Sequence, residues 1–84
     1  MSQQEKLLAK LTAKPVPRDY KWNELCKLLN GLGFDQLTGK GSRRKFYHAG
    51  TKTLIIIHEP HPQNVLKPYQ VKDVVNKLKE MGTV

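Results

Sequence analysis

Two apolar stripes of identical spacing, one on each side of a β-prone segment, limit what this chain can fold into. Trp22, Leu25, Cys26, Leu29 and Leu32 fall at i, i+3, i+4, i+7 and i+10. Val71, Val74, Val75, Leu78 and Met81 repeat the same intervals. Each set lines one face of a helix. Gly33 and Gly82 follow the stripes directly, where a residue in the left-handed conformation ends a helix. Pro68 suits the first turn of the second helix, where its missing N–H is not needed.

Between the stripes the period changes from helical to alternating. Phe34–Thr38 reads as a short strand, with Phe34 and also Leu37 expected to face inward. Gly39-Lys40-Gly41-Ser42 reads as a turn. Arg43–His48 alternates, which puts Arg44, Phe46 and His48 on one face and Arg43, Lys45 and Tyr47 on the other. Phe46 marks the core side, so Arg43, Lys45 and Tyr47 are expected on the open face. A turn at Ala49-Gly50-Thr51-Lys52 leads into Thr53–Ile57, where three consecutive isoleucines predict a central strand with apolar residues on both faces. His58-Glu59-Pro60-His61-Pro62 ends the sheet, because proline cannot continue a central strand. The expected fold is therefore α+β. It has two layers in the order α-β-β-β-α, with both helices on one face of a three-stranded antiparallel sheet.

Upstream, Leu7, Leu8 and Leu11 share a helical stripe over residues 3–13. Such a helix is too short to stand alone in water and must dock or fray. Pro15 and Pro17 then form a stiff linker. The expected division is an N-terminal helix and linker over residues 1–18, followed by a domain over residues 19–84.

Charge narrows the choice of partner. The 84 residues include 15 Lys+Arg against 7 Asp+Glu, a net charge of +8. No acidic residue occurs between Asp35 and Glu59. Such a balance attracts phosphates and favours nucleic acid or an anionic surface as partner. Cys26 is the one cysteine and makes no internal disulfide, which fits a reducing, cytoplasmic setting. No segment approaches the ~20 apolar residues of a membrane span, and the start MSQQEK lacks the features of a signal peptide.

All 3 histidines lie between Thr38 and Pro62. Cleavage of a phosphodiester by side chains alone would require a base, an acid for the leaving oxygen and cations around the phosphorane. Histidine serves the first two because its pKa is ~6.5. His61 and His58 are the candidate catalytic residues, with Glu59 as a possible orienting group. Lys40, Ser42, Arg43, Lys45 and Tyr47 are the candidate nucleic-acid contacts. Packing within the loop is the competing role for both catalytic candidates, and His48 is expected on the inner face in a structural role. No metal or cofactor is expected: prolines prevent His58 and His61 from sharing a helix face, and no further His/Cys cluster completes a site. Gly39-Lys40-Gly41 lacks the Gly-Lys-Ser/Thr that a phosphate-cradling loop needs.

From Trp22 onward the chain resembles the HicA family of toxin ribonucleases from toxin–antitoxin pairs. The resemblance rests on the helix ending Leu32-Gly33-Phe34, the Gly39-Lys40-Gly41-Ser42 turn, the basic strand with Phe46, and the terminal helix after Leu66-Lys67-Pro68. It implies a double-stranded-RNA-binding-like (dsRBD-like) fold, metal-independent endonuclease cleavage of mRNA, and neutralisation by a HicB-type antitoxin. The family places its catalytic histidine where this chain has Arg43. Arginine cannot act as a general base near neutral pH, because its pKa exceeds ~12; it can bind phosphate. Three readings therefore stand: a toxin ribonuclease, a catalytically inactive RNA-binding module of the same fold, and a protein-interaction domain.

Overall fold

The computed structural model describes residues 3–38, 43–60 and 63–83. The elements are α1 (Gln3–Leu11), α2 (Trp22–Gly31), β1 (Asp35–Thr38), β2 (Arg43–His48), β3 (Thr53–His58) and α3 (Pro68–Glu80). The α-β-β-β-α order with an additional N-terminal helix is the one expected from the sequence. The three strands form one antiparallel sheet in the order β1-β2-β3.

Strand order corrects one expectation. The isoleucine-rich β3 is an edge strand, and the basic β2 is central. The segments joining consecutive strands are short, so neighbours in sequence become neighbours in the sheet and the middle strand takes the middle place. The second apolar face of β3 is not buried between layers. Ile55 and Ile57 enter the core, while Leu54 and Ile56 are 39% and 46% exposed on the far side. Leu37 likewise faces outward at 45% exposure, and Phe34, just before the strand, carries the inward contact.

The helices end as the glycines predicted. At the end of α2, Phe34 N–H donates to Leu29 O at 2.9 Å and Gly33 N–H to Asn30 O at 3.1 Å. Gly33 has φ +97, a conformation without a Cβ penalty only for glycine. At the end of α3, Thr83 N–H donates to Leu78 O at 2.9 Å and Gly82 N–H to Lys79 O at 3.0 Å, with φ +82 at Gly82. Both closures satisfy carbonyls that the last helical turn leaves open. In the β2–β3 turn, the positive φ falls on Lys52 (φ 55) instead of on a glycine.

The core lies between the sheet and the helices. Phe46, Ile55 and Ile57 from the strands meet Leu25 and Leu29 of α2 and Val71, Val74 and Leu78 of α3. The Trp22 and Phe46 rings lie 5.7 Å apart, tilted. α1 contributes Leu7 and Leu11 to the same core, so this short helix gains from docking the stability it lacks alone. Its attachment to α2 is also polar: Tyr20 Oη donates to Leu7 O at 3.0 Å, and Lys10 Nζ lies 3.1 Å from Glu24 Oε1. Burial, together with the negative charge of Glu24, pushes the Tyr20 phenol above its usual range. α1 also explains Leu28, which lies off the expected stripe and is fully buried.

The segments entering α2 and α3 are tied together. Trp22 N–H donates to Asn64 O and Leu66 N–H to Tyr20 O, both at 2.8 Å. Each helix then begins with the side chain three residues into it reaching back. Glu24 Oε1 accepts Lys21 N–H at 3.1 Å and Gln70 Oε1 accepts Lys67 N–H at 3.0 Å. Among the described residues, no helix is long and apolar enough to cross a membrane.

Candidate nucleic-acid interface

With Phe46 fixed in the core, the pleat of β2 turns Arg43, Lys45 and Tyr47 to the sheet face away from the helices. Arg43 is exposed; Lys45 and Tyr47 are half-buried. Register then sets their neighbours, because residues directly opposite across antiparallel strands share a face. Arg43 pairs with His58; Lys45 lies between Leu37 and Ile56; Tyr47 lies between Asp35 and Leu54. The open face is therefore a central row of two cations and a tyrosine, flanked by exposed aliphatic side chains and, beside Tyr47, by Asp35, with His58 at the Arg43 end.

His58 is the last residue of β3 and is exposed. Its backbone is held from the helix layer: Gln70 Nε2 donates to His58 O at 3.0 Å, while Gln70 Oε1 accepts Lys67 N–H. Gln70 is the one buried polar side chain among the described residues, at 5% exposure. It couples the start of α3 to the strand end that carries the histidine. Sequence reasoning did not single it out, although its position three residues after Lys67 is where a side chain reaches back to cap a helix.

Of the sequence-derived candidates, Arg43, Lys45, Tyr47 and His58 come together on this face. Lys40, Ser42 and His61, with the Gly39–Ser42 turn, lie outside the described residues. Glu59, read from sequence as a partner for a histidine, pairs with Arg44, its Oε1 3.5 Å from Arg44 Nε. Arg44 belongs to the inward-facing set of β2, so this pair caps the core edge.

The other two reactive side chains have structural surroundings. His48 Nε2 lies 3.1 Å from Leu32 O, and Thr51 N–H donates to His48 Nδ1 at 3.2 Å. A carbonyl only accepts, so Nε2 carries the proton and both ring nitrogens are satisfied. The ring also meets Phe34 edge-on at 5.2 Å. Cys26 is half-buried, and burial, then the charge of Glu59, push its thiol pKa up against a smaller opposing effect of Arg44. Thiolate is the nucleophilic form of cysteine, so this environment opposes a catalytic role.

Comparison with known families gives a match over most of the chain. The model of a family described as the HicA toxin of bacterial toxin–antitoxin systems matches residues 22–83, from the first residue of α2 to the end of the α3 closure. No curated protein and no solved structure matches the chain.

Proposed function

The chain belongs to the HicA toxin family, and from that premise we propose that it is an RNA-binding toxin that cleaves mRNA without a metal ion and is neutralised by a HicB-type antitoxin. The observation that carries this reading is the register of β2 against β3. It aligns Arg43 and Lys45 along an open face and sets His58 directly opposite Arg43. Opposed residues in such a pair have Cα atoms about 4.5–5.5 Å apart, so a phosphate held by Arg43 lies within reach of the imidazole.

In the proposed reaction, Arg43 and Lys45 bind the scissile phosphate and stabilise the charge that builds on the phosphorane. One histidine removes the 2′-hydroxyl proton and a second protonates the departing 5′-oxygen; His58 and His61 take these roles. Lys40 and Ser42, just before β2 in sequence, add contacts to the RNA backbone, and Tyr47 offers a ring on which an unpaired base can stack. The antitoxin would meet a face whose exposed Leu37, Leu54 and Ile56 suit a protein better than a polyanion.

A second reading is favoured by one residue. Arg43 stands where the family resemblance places the catalytic histidine, which would leave an RNA-binding module without cleavage. Incubation of purified protein with mRNA in EDTA separates the two. Cleavage that disappears in His58→Ala or His61→Ala, with RNA binding retained, supports the ribonuclease. Salt-sensitive RNA binding with intact RNA supports the module. Absence of RNA binding at low salt refutes both.

A further inference from the structure

A broad concavity lies away from the sheet. It is a groove of about 740 Å³ between α1 and α3, lined also by residues that follow α1. Its floor is apolar, with Leu8, Leu11, Val16, Val71 and Val75. Lys14, Lys72 and Lys79 stand on its rim, and Glu5 is the one acidic residue lining it among the described residues. The rim lysines differ from their neighbours: Lys10 and Lys77 are ion-paired, whereas Lys14, Lys72 and Lys79 have no ion pair within the described residues. One wall of the groove, α1 with its linker, precedes the residues 22–83 matched by the family model. The groove is therefore built by an addition to the family domain.

We propose that this groove is a docking site for an acidic amphipathic helix of a partner protein, separate from the RNA face. Chemistry and shape select that occupant. An apolar floor between two helices takes the apolar stripe of a third, and no strand residue lines the groove, so an incoming segment finds no backbone edge to pair with. The unpaired rim cations select acidic flanks. A second copy of the chain is disfavoured, because each copy carries a net charge of +8 and brings lysines to lysines. The length of α1, 9 residues or about 13 Å, sets the contact at two to three helical turns. None of the residues lining the groove lies in the sheet, so occupation leaves Arg43, Lys45 and Tyr47 open to RNA.

The test uses the full chain, isotopically labelled, titrated by NMR with a synthetic peptide. The peptide carries a leucine stripe at helical spacing with glutamates on either side. Binding should shift the amides of Leu8, Thr12, Val75 and Lys79 and leave those of Arg43, Lys45 and Tyr47 in place. A peptide of the same composition with its leucines scattered, and one with lysine for glutamate, should each bind about tenfold more weakly or worse, the equivalent of about 1.4 kcal/mol. Val75→Glu and, independently, the exposed pair Lys72→Glu with Lys79→Glu should weaken the acidic peptide by a similar factor. Equal binding of the scattered peptide, or shifts confined to the sheet, would overturn the proposal by reducing it to non-specific charge attraction. It is also overturned if both sets of variants leave affinity unchanged. Groove shifts produced by phosphatidylglycerol vesicles but not by the peptide would assign the site to a lipid surface. Self-association abolished by Leu8→Glu would assign it to a second copy.

Discussion

Gln70 offers the sharpest test of how this domain is held together. Its amide makes two hydrogen bonds of 3.0 Å from a buried position, one accepting Lys67 N–H and one donating to His58 O. Gln70→Ala leaves both backbone groups without that partner, at about 1–1.5 kcal/mol each, so the expected loss is about 2–3 kcal/mol. A domain of this size has on the order of 5 kcal/mol in total. At about 4–8 °C per kcal/mol for small domains, the melting temperature should fall by about 10–20 °C. Trp22, buried beside Phe46, is the only tryptophan and reports unfolding by fluorescence. Gln70→Glu refines the test. The carboxylate still caps Lys67 N–H but faces the His58 carbonyl with no proton to donate. Burial and that carbonyl favour the protonated acid, so the folded-state pKa rises above the ~4.3 of an unfolded glutamate. Below that value the acid is protonated in both states and donates, and the variant approaches the parent. Stability is then lost as pH rises through the folded-state pKa. An alanine variant melting within about 4 °C of the parent, or a glutamate variant with no pH dependence beyond that of the parent, would refute this account of Gln70.

Three further outcomes are expected. Tyr20→Phe removes the hydroxyl that bonds Leu7 O and should cost about 1 kcal/mol at neutral pH; because the phenol is raised in the folded state, its stabilisation is complete below ~10 and lost above, so the variant should show a shallower alkaline fall in urea midpoint. Gly33→Ala forces a Cβ into φ +97, 3.1 Å from His48 Nε2, and should cost about 1–2 kcal/mol in thermal melts. Ile56→Lys places a third cation on the open face beside Lys45 at an exposed position; it should leave the melting temperature nearly unchanged, tighten RNA binding in a filter assay and steepen its salt dependence.

What could be read from the sequence divides by range. The stripes of α2 and α3 and their terminating glycines depend on contacts within a few residues, and each appears where its spacing placed it. The faces of β2 followed in the same way, since one buried phenylalanine fixes a period of two along the whole strand. Features that depend on distant segments were less legible. Ile55-Ile56-Ile57 has the composition of a strand buried on both faces, yet the short connections make a simple meander and leave this strand at the edge. Leu28 belongs to the core because α1 covers a second flank of α2, which the α2 stripe does not reveal. Tyr20 and Gln70 look like surface residues in sequence; each is buried because a backbone group elsewhere supplies its partner.

The same distinction explains the candidate site. Arg43, Lys45 and Tyr47 share a face for a local reason, whereas the neighbours of each are set by register across the sheet. A slip of one residue between β2 and β3 would move His58 out of line with Arg43 and turn Ile55 and Ile57 to solvent. The burial of those two isoleucines thus fixes the position of the histidine, and Gln70 anchors its backbone from the helix layer. Core packing and site geometry are consequently one constraint: a change that loosens the seating of β3 on α3 also disperses the charges of the open face. Arg43 and His58 occupy the end of the hairpin where this constraint is reinforced by the hydrogen bond from Gln70 to His58 O. Lys45 and Tyr47, farther along, are placed by the ladder and the core side chains beneath it.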